Sequence, residues 1–284
     1  MRIGVIGLGQ MGLGMAGRAA AAGAEVVGFD LDAGKRAAAA ERGVRAATNP
    51  AGAAAPLVIL SLPQGDAVAA VLDALLPALQ AGAVIADTST LDPIAARGFA
   101  ARAAAQGVDY LDAPVSGGPA GAAAGTLTMM LGGAAAALAR ARPGLDLLTA
   151  RILHVGDSGA GQVAKLVNNL LVATHLAVAG EALRLGERAG VGAEALLAVI
   201  NAASGRSAAT EVNFPRWILS GSFDSGFTAG LMRKDARLAL GLAEAVGAPL
   251  PACAAAIALW ADDAVPDSAD FNRLPAAIRQ GGPA

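Results

Sequence analysis

Lys165 and Asn169 are the residues of this chain best suited to proton chemistry. They stand four apart, so on a helix they share one face, and their neighbours Val163, Ala164, Leu166, Val167, Leu170 and Leu171 are apolar. An amine in apolar surroundings has its charged form disfavoured, which brings its proton within reach of acid–base exchange near neutral pH. An amide one turn away can orient a hydroxyl without adding charge. The ordinary alternative is a lysine on a solvated helix face, and these two residues alone leave both readings open.

A second set of residues could hold phosphate. The apolar run Ile3 to Ile6 is followed by Gly7-x-Gly9-x-x-Gly12 and then by an alanine-rich stretch. Read as strand, turn and helix, this places Gly7 at the tight turn. Gly9 stands where a side chain would block a pyrophosphate, and Gly12 where the helix packs close to the strand. The helix N-terminus then offers unpaired N–H groups and a partial positive charge. A second strand-like run, Glu25 to Phe29, ends in Asp30, 23 residues after Gly7, where such a fold places the carboxylate that grips the adenosine ribose. Together these features predict a dinucleotide site, with NAD favoured over NADP because a carboxylate repels a 2′-phosphate.

Three more loops should lie beyond the carboxyl ends of strands, where ligands bind in open α/β sheets. They contain Ser61-Leu62-Pro63, Asp87-Thr88-Ser89-Thr90 and Asp112-Ala-Pro-Val-Ser116-Gly117-Gly118. Ser116 with two following glycines makes a loop whose accessible N–H groups could hold a carboxylate. Each is also an ordinary turn composition when taken alone. Three on one edge beside a dinucleotide turn favour a site.

The elements that must position these residues follow from the pattern. Strand candidates are 2–7, 25–30, 57–62, 83–87, 109–113, 127–131 and 151–155, alternating with helical stretches, which implies a doubly wound, mostly parallel sheet. Beyond Gly161 the strand signals stop. One long helix is expected over 162–189, then helical segments at 193–203, 214–219, 231–246 and 251–262, with a frayed tail at 281–284. The predicted domains are a dinucleotide-binding unit, 1–161, and an all-helical unit, 162–284, joined by the long helix.

Composition excludes other classes. The net charge is −2, which gives no electrostatic case for nucleic acid or an anionic membrane. Mean hydropathy is +0.53, but alanine causes it. The stretch Val163 to Leu185 carries Lys165, Asn168, Asn169, His175, Glu181 and Arg184, too polar for a span of about 20 apolar residues. One cysteine, Cys253, cannot form an intramolecular disulfide, and with two histidines a metal site is not expected. The first residues read as a strand rather than a signal peptide, so a cytoplasmic protein is expected. The apolar second domain should be partly covered by another copy of the chain.

Four motifs in order resemble the β-hydroxyacid dehydrogenases, the group of 3-hydroxyisobutyrate dehydrogenase. They are Gly7-Leu-Gly-Gln-Met-Gly12-Leu-Gly-Met-Ala16, Asp112-Ala-Pro-Val-Ser-Gly-Gly118 continued by Ala124-Gly-Thr-Leu-Thr128, Gly159-Ala-Gly-Gln-Val-Ala-Lys165-Leu-Val-Asn-Asn169, and Leu231-Met-Arg-Lys234-Asp235. The resemblance runs nearly end to end. It implies Lys165 as general acid/base and Asn169 as the group that positions substrate. It implies that Ser116, Gly117 and Gly118 bind the substrate carboxylate. Gly7, Gly9, Gln10, Met11, Gly12, Leu62, Pro63, Thr90 and Lys234 would line the cofactor site, with Asp30 on the ribose. A homodimer or homotetramer is also implied.

Relatives narrow the chemistry. The 6-phosphogluconate dehydrogenases are longer and carry histidine where this chain has Asn168. Imine reductases generally lack the lysine. Ala67 stands where 3-hydroxyisobutyrate dehydrogenases commonly have asparagine, and 207–222 and the tail from Pro266 match that enzyme loosely. The expected activity is metal-free, NAD-dependent oxidation of a small β-hydroxy acid to a semialdehyde. The alternatives are reduction of a small aldehyde acid of the glyoxylate, tartronate semialdehyde or sulfolactaldehyde type, and a dinucleotide sensor without turnover.

Overall fold

The computed structural model describes residues 1–261 and 265–281. The chain divides into two compact units, Met1–Lys165 and Leu166–Ala284. The division falls inside the long helix just after Lys165, whereas the predicted boundary stood at 161/162.

The first unit is built on one sheet. Its strands are β1 (Arg2–Ile6), β2 (Glu25–Phe29), β3 (Arg45–Ala46), β4 (Leu57–Leu60), β5 (Val84–Asp87), β6 (Asp109–Asp112), β7 (Val115–Ser116), β8 (Leu127–Gly132) and β9 (Thr149–Gly156). They lie in the order β3-β2-β1-β4-β5-β6-β8-β7, with β9 beside β8. From β3 to β6 all pairings are parallel, whereas β8 runs antiparallel to β6 and β7. The central strands are buried on both faces, as helix-covered parallel sheets require. Ile3, Val5, Leu57, Ile59, Val84 and Ala86 enter one apolar core. Ile6, Val58, Leu60 and Ile85 enter another on the opposite face. The strand order reverses between β1 and β4, the switch point at which such sheets open a crevice.

The covering helices are α1 (Gln10–Ala21), α2 (Ala33–Ala40), α3 (Gly65–Leu75), α4 (Pro93–Ala104), α5 (Gly118–Ala124) and α6 (Ala135–Leu145). Two start on carboxylate caps. Asp32 accepts from the N–H groups of Gly34 and Lys35, and Asp92 accepts from that of Ile94 ahead of Pro93 in the first turn. The strands β3 and β7, two residues each, were not foreseen because so short a run carries no periodicity.

The second unit is helical. The helix α7 (Ala160–Arg188) continues into it and is followed by α8 (Ala193–Ala202), a π-wound segment (Ala209–Ile218), α9 (Ala229–Ala245), α10 (Pro251–Ala258) and α11 (Arg273–Gln280). Leu166, Leu170, Leu176, Leu183, Phe214, Met232, Trp260 and Phe271 form its core. The Trp260 indole N–H donates to the Ala173 carbonyl at 3.1 Å. Arg233 lies in the same interior, donating to the carbonyls of Trp260 and Val265 and to Asp267. By length and apolarity α7 could cross a membrane. Leu166, Leu170, Ala173, Leu176, Ala177 and Leu183, however, are core residues of this unit.

Two helical predictions change. The segment expected at 214–219 begins at Ala209 and is π-wound, with Pro215 inside it. The helix α11 was missed because of Pro275, which sits in its first turn where a missing N–H costs nothing. Asp262, the last residue of the segment expected at 251–262, lies outside the described residues, as do residues 282–284 of the tail.

Candidate active site

The turn after β1 has the geometry that a dinucleotide cradle needs. Gly7 has φ +89°, and its N–H donates to the Phe29 carbonyl at 2.8 Å. A Cβ on Gly7 would lie 2.2 Å from the Ser61 carbonyl oxygen, and one on Gly12 would lie 1.8 Å from the Gly7 carbonyl oxygen. Neither can be tolerated. At Gly9 a Cβ would meet nothing within 4 Å. So two glycines close the turn against its own scaffold, while the third borders open space. Gly9 also caps α1 without a side-chain bond, and the first turn of α1 carries no acidic residue. Gln10 is exposed and Met11 half-buried at this N-terminus. A pyrophosphate fits this arrangement.

Asp30 follows β2. Its carboxylate accepts from the Leu8 N–H at 2.8 Å and from the Asp32 N–H at 2.9 Å, so it locks the glycine turn to the end of β2. Two cations stand close by. The Lys35 ammonium is 3.8 Å from Asp30 Oδ2, and the Arg36 guanidinium donates to the carbonyls of Asp30 and Leu31 at 2.6 and 3.0 Å.

The loop after β5 spends two of its three hydroxyls inside the protein. Thr88 donates to the Leu60 carbonyl at 2.6 Å, and Ser89 Oγ accepts from the Leu62 N–H at 2.9 Å. Thr90 is half-buried, as is Leu62, and Pro63 is exposed. Beneath the loop lies a polar network that the sequence reading did not find. Asp87 is fully buried and accepts from the Ser89 N–H at 2.9 Å and from the Tyr110 hydroxyl at 2.6 Å. Burial pushes its carboxyl up to about 6, outweighing the hydrogen bonds from Ser89 and Tyr110 that favour the ion. Burial beside Asp87 likewise pushes the Tyr110 phenol up.

The start of α7 is fastened to the same edge. Asp112, at the end of β6, accepts from the N–H groups of Gly159 at 2.7 Å and Gln162 at 3.0 Å. Its carboxyl is raised by desolvation, with these donors working in the opposite direction. In the second turn of the helix, Lys165 is buried at 7% exposure, and its ammonium donates to the Val115 carbonyl at 2.9 Å. Val115 immediately precedes Ser116, which is half-buried and is followed by Gly117 at φ +128° and Gly118 at φ +64°. The first unit thus brings Lys165 and the Ser116–Gly118 loop together.

In the second unit, Asn169 is 6% exposed and donates through its amide to Asp235 at 2.6 Å, while its carbonyl accepts from the Asn168 amide at 3.0 Å. Asp235, on α9, is 2% exposed, and the Lys234 ammonium lies 3.3 Å from its other oxygen. The role of Asp235 in holding Asn169 was missed. Its only local signal was adjacency to Lys234. Among the described residues no group of histidine, cysteine, aspartate and glutamate is arranged to hold a metal.

The chain is similar to known proteins over nearly its whole length. Residues 2–156 match the family described as the NAD binding domain of 6-phosphogluconate dehydrogenase. Residues 159–274 match that described as NAD-binding of NADP-dependent 3-hydroxyisobutyrate dehydrogenase. The chain is 40% identical over 265 residues to 2-(hydroxymethyl)glutarate dehydrogenase of Eubacterium barkeri, covering 92% of this chain and 88% of that protein. It is 38% identical over 287 residues to 3-hydroxyisobutyrate dehydrogenase of Pseudomonas aeruginosa, covering 96% of each. The solved structure of Mycobacterium tuberculosis 3-hydroxyisobutyrate dehydrogenase with L-serine superposes with a TM-score of 0.92 at 36% identity, covering 98% of this chain and 99% of that one.

The Asp87 network generates a pH dependence. Unfolded, the Asp87 carboxyl titrates near 3.8, and folded it titrates near 6. Between those values the folded protein holds a proton that the unfolded chain has lost. The contribution of Asp87 is therefore complete below about 3.8 and is lost as pH rises through about 6. Asp87→Asn cannot ionise, so its stability relative to the parent should improve by on the order of 2 kcal/mol on going from pH 4 to pH 7.5. Chemical denaturation at the two pH values checks this, and an unchanged difference would contradict it.

Proposed function

We propose that this chain, which belongs to the β-hydroxyacid dehydrogenase family and is an NAD(P)-dependent oxidoreductase acting on CH–OH groups, oxidises a small β-hydroxy acid of the 3-hydroxyisobutyrate kind to its semialdehyde, without a metal. The observation that carries this reading is the bond from Lys165 to the Val115 carbonyl, which sets a buried amine beside Ser116. When bound, NAD supplies the hydride acceptor. Lys165 takes the proton of the substrate hydroxyl as the carbon–oxygen double bond forms, and returns it in the reverse direction. Ser116, with the N–H groups of Gly117 and Gly118, holds the carboxylate, so the hydroxyl two carbons away is delivered to the lysine. Asn169 orients that hydroxyl, its own amide being fixed by Asp235.

Gly7, Gly9, Gln10, Met11 and Gly12 hold the cofactor phosphates, with Leu62, Pro63 and Thr90 beside them. Lys234 is carried over as a cofactor residue from the family resemblance. The names of the relatives support the substrate class, since 3-hydroxyisobutyrate and 2-(hydroxymethyl)glutarate both carry a hydroxymethyl group on the carbon next to a carboxylate. A cytoplasmic location is part of the same reading.

If Lys165 is the acid/base, Lys165→Ala should lower kcat by roughly 10²–10⁴-fold, about 3–5 kcal/mol of barrier. NAD affinity should be nearly unchanged, because the phosphates rest on the Gly7–Gly12 turn. Lys165→Arg should not rescue, since guanidinium holds its proton. A single-turnover rate near that of the parent would remove Lys165 from the chemistry.

The cofactor should be NAD rather than NADP. The Asp30 carboxylate repels a 2′-phosphate and accepts from a free ribose hydroxyl, and Arg36 is already engaged with the carbonyls of Asp30 and Leu31. The comparison is kcat/KM for the two cofactors, and an equal or higher value with NADP would refute the preference.

Assembly as a homodimer or homotetramer is part of the same reading, and α7 supports it. Val167, Leu171, Val178 and Leu185 are between 46% and 72% exposed and recur at intervals of four and seven, which aligns them along one face. Such a stripe needs a cover. Light scattering should give a multiple of 27.7 kDa at micromolar concentration, and a monomer alone would contradict it.

A further inference from the structure

The Gln162 side chain is fully buried in the first turn of α7, three residues before Lys165. Its amide nitrogen donates to the Ser89 carbonyl at 2.8 Å, and its amide oxygen accepts from the Leu91 N–H at 2.9 Å. A carbonyl and an N–H two residues apart on one edge are the pair that a neighbouring strand would satisfy. One side chain therefore serves the loop as a strand would. The same residue's backbone N–H reaches Asp112 at 3.0 Å. Ser89 passes the connection onward, because its hydroxyl oxygen accepts from the Leu62 N–H at 2.9 Å.

We propose that Gln162 is a positioning residue. It locks the loops carrying Leu62, Pro63 and Thr90 to the helical turn that carries Lys165, so one buried amide sets the spacing between the cofactor-lining loops and the proton-transferring amine. The inference rests on the roles assigned above to those residues. Displacements of about 1 Å from catalytic geometry can cost on the order of 100-fold in rate, so loss of this lock should register in the chemical step as well as in stability.

The test uses Gln162→Met, which keeps the length and removes both bonds, and Gln162→Glu, which keeps the acceptor for Leu91. Folding is checked by circular dichroism and gel filtration. NADH dissociation constants are measured by fluorescence, and single-turnover rates with saturating NAD and 3-hydroxyisobutyrate. Gln162→Met should slow hydride transfer roughly tenfold to hundredfold and weaken NADH binding several-fold. In Gln162→Glu a protonated carboxyl can again donate to Ser89, so its rate relative to the parent should rise as pH falls from about 8 to about 6.

A folded Gln162→Met with rate and NADH affinity within about twofold of the parent overturns the proposal, even if its melting temperature falls. If Gln162→Met does not fold, a flat rate ratio for Gln162→Glu overturns it instead. Lys165→Ala is measured alongside. A parent-like rate there defeats the assigned mechanism, and the loop connection is then decided by the NADH dissociation constants alone.

Discussion

The capping of α7 by Asp112 is the constraint on which the site-bearing unit depends. A long helix begins with four backbone N–H groups that have no partner within it and with a partial positive charge. Here that end abuts the sheet edge, where water cannot satisfy it. Asp112 accepts from Gly159 and Gln162 and balances the dipole. The approach is close enough that a Cβ on Gly161 would lie 2.5 Å from the Asp112 carbonyl oxygen and 2.6 Å from that of Met130. Glycine at 161 is the condition for the helix to reach its cap, and the cap fixes the direction in which Lys165 leaves the helix.

A division of labour among small polar residues follows. Thr88, Ser89 and Gln162 belong to segments that look equipped for ligands, yet their polar groups bond to the protein's own backbone. Leaving a buried carbonyl or N–H unpaired costs about 1–3 kcal/mol, so at a crowded sheet edge these demands come first. Below them, Asp87 shows the reverse balance. Its donors are well placed, but full burial disfavours the ion more than they favour it. At this edge the hydrogen bonds favour the carboxylate, while burial favours the neutral acid.

The helical unit solves a different problem. Many of its core positions are alanine, which lets helices approach but buries little area per residue. Trp260 and Phe271 supply the bulk, stacked with ring centroids 6.4 Å apart, and Phe227 meets Phe271 edge-on at 5.2 Å. The buried guanidinium of Arg233 is tolerated because Trp260, Val265 and Asp267 all accept from it. The apolar stripe on α7 is left outside this core, which is why covering it falls to a second copy in the reading above.

Local pattern by itself determined the alternation of strands and helices, the glycine turn, Asp30 at the end of β2 and the long helix bearing Lys165 and Asn169. Each of these is a statement about neighbours within about a helical turn or a strand, and sequence spacing records such neighbours directly. The tertiary structure alone decided which hydroxyls face inward, that β8 turns antiparallel, and that Asp87, Asp112, Gln162 and Asp235 hold the pieces in place. Those residues act on partners far away in the chain, such as Gly159 for Asp112, Ser89 for Gln162 and Asn169 for Asp235, separated by 47, 73 and 66 positions. No local period encodes such a pairing. It exists because the sheet brings the carboxyl ends of its strands to one edge, and because buried polar groups must find a partner there.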